Sequence, residues 1–168
     1  MKTLISADRI AARVAELGAD ITRDYAGKEL VLVCVLKGSF IFASDLARAI
    51  NLPVRVEFLG IQSYGDNTVS SGEARITLDI AHALGGKHVL LVEDIVDTGL
   101  TLSFLLEHLR ARDLASLKMC SLLHKPARQK IPVKIDYLGF TIDDVFIVGY
   151  GLDHAGLHRN VPFIGVVE

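Results

Sequence analysis

From Ser6 onward, apolar Ile10, Val14, Leu17 and Ile21 recur at steps of four, three and four, with charged residues filling the gaps. That is the helical period, and Ser6 stands where a capping hydroxyl would open an amphipathic helix. The pattern then changes. Leu30 to Leu36 is an unbroken aliphatic run rich in Val, ending in Lys37-Gly38. Without alternation, such a strand expects cover on both faces, as in a parallel sheet. Ser39 to Ile50 predicts a helix and Val54 to Gln62 the next strand. Residues 63–75 (Ser-Tyr-Gly-Asp-Asn-Thr-Val-Ser-Ser-Gly-Glu-Ala-Arg) offer almost nothing to a core and predict a mobile loop.

Beyond the loop, the pattern predicts a short strand at Ile76 to Asp79, a turn at Gly85-Gly86 and a strong apolar strand from His88 to Ile95. Leu102, Leu105, Leu106 and Leu109 then mark a helix. Further strands are expected at Leu117 to Leu123, Val145 to Tyr150 and Phe163 to Val167. Strands alternating with helices predict an α/β fold, a parallel sheet with right-handed crossovers. In such sheets ligands sit beyond the carboxyl ends of the strands. This directs attention to Leu36-Lys37-Gly38, to Glu93 through Thr101, and to Gly149 through Asp153.

Length and composition narrow the picture. With 168 residues, 51% of them hydrophobic and 23% charged, the chain suits one domain with a sizeable core. A formal net charge of -2 offers no broad attraction for nucleic acid or an anionic bilayer. Cys34 and Cys120 both lie in apolar stretches, which predicts buried reduced thiols and a cytoplasmic setting. The longest aliphatic run is far below the roughly 18 residues of a membrane span. Charged Asp8, Arg9 and Arg13 follow Leu4-Ile5 too closely for a secretory signal.

The segment Val89 to Thr101 carries the most chemistry. It reads as a hydrophobic strand, the acids Glu93 and Asp94, a Gly-containing turn with two hydroxyls, and a helix start. Free backbone N–H groups there, helped by Thr98 and Thr101, suit one phosphate. The Gly-Lys-Ser/Thr of a triphosphate loop is missing. Paired acids would repel a phosphate placed on them, but could accept hydrogen bonds from a vicinal diol or face a divalent ion. A sugar phosphate satisfies both halves. Taken singly, Asp97 could also be a helix cap, and Glu93 and Asp94 solvated strand-end charges. Two adjacent acids ending a buried strand are nevertheless costly unless something engages them.

Val92-Glu93-Asp94-Ile95-Val96-Asp97-Thr98-Gly99-Leu100-Thr101 resembles the phosphoribosyl pyrophosphate (PRPP) motif of the type I phosphoribosyltransferases, in particular their hypoxanthine-guanine branch. The similarity extends in order through Leu36-Lys37-Gly38-Ser39-Phe40, Ser63-Tyr64-Gly65, Lys125-Pro126, and Val145 through Asp153 with Arg159 beyond. The resemblance implies one phosphoribosyltransferase domain over 1–168, with a central parallel sheet flanked by helices. A small hood would come from the chain ends, and the loop 63–75 would act as a lid. It implies purine salvage, with transfer from PRPP to N9 of hypoxanthine or guanine to give IMP or GMP and pyrophosphate. Mg2+ would be the cofactor, and the assembly a homodimer or homotetramer.

The same resemblance assigns roles. Glu93 and Asp94 would contact the ribose hydroxyls or a metal-bound water, and Asp97, Thr98, Gly99, Leu100 and Thr101 would hold the 5'-phosphate. Asp97 would also be the general base at the purine N7. Lys37 and Gly38, whose loop often carries a cis peptide in the family, would meet the pyrophosphate with Arg159, Ser63 and Tyr64. Lys125 would donate to O6, Phe146 would stack on the ring, and Ile147 and Asp153 would read the purine edge. Glu93 and Asp94 would serve the metal, and Asp153 would hold a second magnesium through waters.

The chain departs from the pattern at His154 and His158, where relatives commonly carry tyrosine, and at Leu100, where some carry a basic residue. The histidines have helical metal-ligand spacing, but Gly156 between them and the want of a third ligand argue against zinc. Asp143-Asp144 reads as a turn. Two other readings remain: a PRPP-sensing regulatory protein that binds RNA, against which the near-neutral charge speaks, and a phosphoribosyltransferase for xanthine or another base.

Overall fold

The computed structural model describes residues 1–63 and 74–168. In chain order the elements are β1 (Lys2–Ile5), α1 (Ala7–Asp24), β2 (Leu30–Leu36), α2 (Phe40–Ala49), β3 (Val54–Ser63), β4 (Ala74–Leu78), β5 (His88–Val96), α3 (Leu100–Arg110), β6 (Ser116–His124), β7 (Tyr137–Thr141), β8 (Ile147–Val148) and β9 (Ile164–Val166). A six-stranded sheet runs β4-β3-β2-β5-β6-β7, parallel throughout except for β4 at its edge. The α/β fold predicted from the sequence is therefore the one observed. Among the described residues no helix is long and apolar enough to cross a membrane.

The unbroken aliphatic run of β2 becomes a central strand. Leu32 and Cys34 face one core, with Ile10, Leu17, Phe42 and Leu46 from α1 and α2. Val31, Val33 and Val35 face the other, with Val89, Leu91, Leu105 and Leu109 of β5 and α3. This two-sided burial removes water from the whole strand and holds its carboxyl end rigidly. Cys34 and Cys120 are free and buried, and burial pushes the Cys34 thiol up to about 12. Ser6 caps α1, accepting from the Arg9 N–H at 3.2 Å.

Several boundaries differ from the sequence expectation. The predicted strand Val145 to Tyr150 is cut to Ile147–Val148, because Gly149, Tyr150 and Gly151 take positive φ (101°, 50° and 101°) and turn the chain back. Neither this strand nor β9 joins the main sheet; with β1 they form a separate antiparallel sheet in the order β1-β9-β8. The strand expected at Ile76 to Asp79 shifts to Ala74–Leu78 and runs antiparallel to β3. Two strands had no counterpart in the expectation. β1 is four residues long and largely exposed, and β7 contains Gly139, whose added Cβ would overlap the Leu122 carbonyl. Tyr64 and residues 64–73 of the expected lid loop lie outside the described residues, and Ser63 ends β3.

Candidate functional site

Four segments singled out by sequence meet at the carboxyl ends of β2 and β5. The Leu36–Lys37 peptide is cis. Gly38 follows it, and a Cβ there would overlap Asp94 Oδ2, so the loop after β2 lies directly against the acid near the end of β5. Gly151 in turn sits on Gly38, where its own Cβ would strike the Gly38 carbonyl oxygen. Arg159 closes the group, with Nη1 donating to Gly151 O at 2.7 Å and Nη2 lying 3.3 Å from Asp153 Oδ1. Lys37 stays exposed beside them.

Glu93 and Asp94 are the electrostatic centre. Glu93 is 8% exposed, a carboxyl at the end of an apolar strand. Desolvation, then the neighbouring Asp94 charge, raises it well above the usual carboxylate range. Asp94 is raised as well, by burial first, with the Ile95 N–H bond at 2.8 Å and the Arg159 charge pulling the other way. Two adjacent acids that resist ionisation are the arrangement a diol or a hard cation would relieve. Asp153 stays apart from them. Its carboxylate accepts from the Gly156 N–H at 2.8 Å and faces Arg159. Among the described residues no three His, Cys, Asp or Glu side chains converge on a metal position. Asp153, expected at a second magnesium, is held with Arg159. The carboxyl pair still suits magnesium, which is commonly held by one or two carboxylates and completed by substrate oxygens and water.

After β5 the chain enters the turn Asp97 to Gly99 and then α3. Gly99 has φ 89° and lies so close to Ile131 that a Cβ would come within 2.5 Å of its carbonyl oxygen. Leu100 and Thr101 form the first turn of α3, where backbone N–H groups lack intrahelical partners. Thr98 Oγ1 accepts from the Leu100 N–H at 3.3 Å. This is a helix start with the positive end of its dipole turned toward the strand-end acids.

Beside this turn opens a pocket of about 400 Å³ whose lining includes Asp97, Lys125, Phe146, Ile147 and Asp153. Lys125 is only 8% exposed, and its Nζ donates to Val145 O at 2.9 Å, leaving other ammonium hydrogens for the pocket. Phe146 is half exposed, its ring edge-on to His154 at 5.2 Å. Ile147 points its side chain into the core, so its backbone is what the pocket meets. His154 and His158 lie in a tight turn rather than on a helix, with an isolated bridge between His154 and Leu157. A larger cleft of about 560 Å³ exists at the opposite end of the sheet, by Glu29, Leu30, Val54 and Lys87. It lacks the buried acids and lies at the amino ends of the strands, so the smaller pocket is the chemical one.

Two residues of this pocket were missed by sequence. Arg128 pairs with Asp97, Nε to Oδ1 at 2.8 Å, and Asp144 lies 4.0 Å from both Arg128 Nη1 and Lys125 Nζ. The available signal was a second cation three residues after Lys125, across a proline.

Residues 2–155 match the phosphoribosyl transferase domain. The chain belongs to the phosphoribosyltransferase family. Hypoxanthine phosphoribosyltransferase of Haemophilus influenzae is 48% identical over 98% of this chain and 93% of its own length. Hypoxanthine-guanine phosphoribosyltransferase of Bacillus subtilis is 44% identical over 99% of this chain and 93% of its own. The fold agrees with that of another phosphoribosyltransferase, the hypoxanthine-guanine enzyme of Bacillus anthracis. Its crystal structure, with a HEPES molecule in the active site, superposes with a TM-score of 0.96 at 46% identity, covering 100% of this chain and 99% of that one.

Proposed function

We propose that this phosphoribosyltransferase salvages purines, transferring the 5-phosphoribosyl group of PRPP to N9 of hypoxanthine or guanine and releasing pyrophosphate with IMP or GMP. The observation that carries the reading is the adjacent acids Glu93, 8% exposed, and Asp94 beside a pocket of about 400 Å³ that holds Asp97 and Lys125 together. The relatives named for hypoxanthine and guanine support it.

In this reading the start of α3 holds the 5'-phosphate through backbone N–H groups and the hydroxyls of Thr98 and Thr101. Glu93 and Asp94 face the ribose hydroxyls. Lys37, Gly38 and Arg159 face the pyrophosphate, whose oxygens suit a guanidinium fork. N9 forms its bond to C1 of the ribose as the bond from C1 to pyrophosphate breaks, and the N7 proton passes to Asp97. The Asp97 anion also favours the positive charge that develops at the ribosyl centre. Lys125 donates to O6. Adenine presents an amino group at that position, so two donors would face each other, at a cost of about 1–3 kcal/mol. Phe146 stacks on the ring, and Ile147 and Asp153 meet the other edge. Magnesium would be held by Glu93 and Asp94, with Asp153 nearer the base, and would counter the charge of the leaving pyrophosphate.

The test is pyrophosphate release by purified protein given PRPP, magnesium and, in separate reactions, hypoxanthine, guanine, xanthine, adenine or uracil. Release with hypoxanthine or guanine and none with adenine or uracil is expected. Silence with every 6-oxopurine overturns the reading.

A further inference from the structure

We propose that Arg128 is the positioning residue of the Asp97 carboxylate, an inference that rests on the functional reading above. Arg128 Nε donates to Asp97 Oδ1 at 2.8 Å. The meeting is built into the backbone on both flanks of Asp97. Immediately before it, Val96 O accepts from the Lys125 N–H at 2.9 Å. Immediately after it, Thr98 O accepts from the Lys130 and Ile131 N–H groups at 2.9 and 3.1 Å. Between these ties the chain makes the 3-10 turn Pro126–Arg128, in which the Arg128 N–H donates to Lys125 O at 3.2 Å. Gly99 admits this strap, since any side chain there would collide with Ile131 O. Residues 125–131 therefore form a strap across the Asp97 turn, and Arg128 is the side chain it delivers to the carboxylate.

The chemistry follows from the donor set. A carboxylate has two oxygens, and Arg128 engages Oδ1, restraining rotation of the group and leaving Oδ2 to meet the N–H of a bound heterocycle. A guanidinium never gives up its proton in this pH range, so it orients a base without competing for the proton in transit. Asp144, 4.0 Å from Arg128 Nη1 and from Lys125 Nζ, counters the cations on the other side. A fixed carboxylate gains over a freely turning one because proton transfer demands a heavy-atom separation near a hydrogen bond.

The test is a double-mutant cycle over Arg128→Ala, Asp97→Asn and the combination, read as kcat and as KM for PRPP. Arg128→Ala is expected to lower kcat on the order of 10-fold with KM for PRPP unchanged. The same change made in Asp97→Asn should lower kcat less than about 2-fold, because the group it positions has already lost its function. An Arg128→Ala variant with wild-type kcat overturns the proposal. So does a loss of equal size in both backgrounds, which would mean that Arg128 acts directly on substrate. Should the alanine variant melt early, the same cycle is run with Arg128→Gln. Wild-type protein that releases no pyrophosphate overturns the functional reading and this inference together, whereas an active wild type with equal losses overturns this inference alone.

Discussion

The site has a dry side and a wet side, and they handle charge in opposite ways. At the end of β5, Glu93 and Asp94 sit in the core's edge with their carboxyls pushed up by burial and by each other. Across the pocket, Asp97, Arg128, Asp144 and Lys125 form two acids and two cations at hydrogen-bond or ion-pair range, and all but Lys125 are well exposed. The dry side is only partly compensated, by the Ile95 N–H and the Arg159 charge, so a ligand that brings hydroxyls or a cation relieves a cost already present in the fold. The wet side is compensated beforehand, so a ligand there exchanges one set of hydrogen bonds for another, and selectivity comes from which donors would be left unmatched. In the proposed function, capture of the sugar and choice of the base thus rest on different physics within one cleft.

Substitutions separate the two sides. Asp97→Asn, at their junction, should give the largest effect: kcat lower on the order of 100-fold or more, with PRPP affinity by titration calorimetry near the wild-type value. A parallel loss of PRPP affinity would move Asp97 into the sugar side. Lys125→Ala should act only on the wet side, raising KM for hypoxanthine roughly 10- to 100-fold, in line with a lost donor to O6. Steady-state kinetics at saturating PRPP measures this, and unchanged KM would break the contrast.

The smallest effect belongs to the dry side and is one of stability. Glu93 has a folded pKa above its unfolded one, so between the two values the native state holds more protons. Stability contributed by this group therefore falls as pH rises from about 4.5, and levels off above the folded pKa. Glu93→Gln removes that dependence. The variant should gain on wild type by roughly 3 °C in Tm for each kcal/mol relieved, more at pH 8 than at pH 5. Measuring the difference between the two proteins cancels the opposite trend of Asp24 and Asp79, whose carboxyls are held low by Tyr137 and His108 hydrogen bonds. An equal Tm gap at both pH values would show that the acid pair carries no such cost.

How much was legible followed from the range of the forces involved. β2 and β5 announce themselves as continuous aliphatic runs, because a strand buried on both faces has no room for polar residues. The Glu93 to Thr101 segment was legible for a related reason, being a chemical anomaly within a few residues of sequence. β1 was not legible, since its four residues become a strand only by pairing with β9, and β7 was not, since its five residues gain their place only beside β6. Arg128 was invisible because its partner lies 31 positions away and is brought near by backbone hydrogen bonds from Lys125, Lys130 and Ile131. The Asp153–Arg159 contact was not legible either, because it depends on positive φ at Gly149, Tyr150 and Gly151 turning the chain back.

The contact of Gly151 with the Gly38 carbonyl joins main chain to main chain with nothing compressible between. The bend that aims Arg159 and the loop after β2 therefore pack backbone on backbone, and a side chain at position 151 would force the two apart.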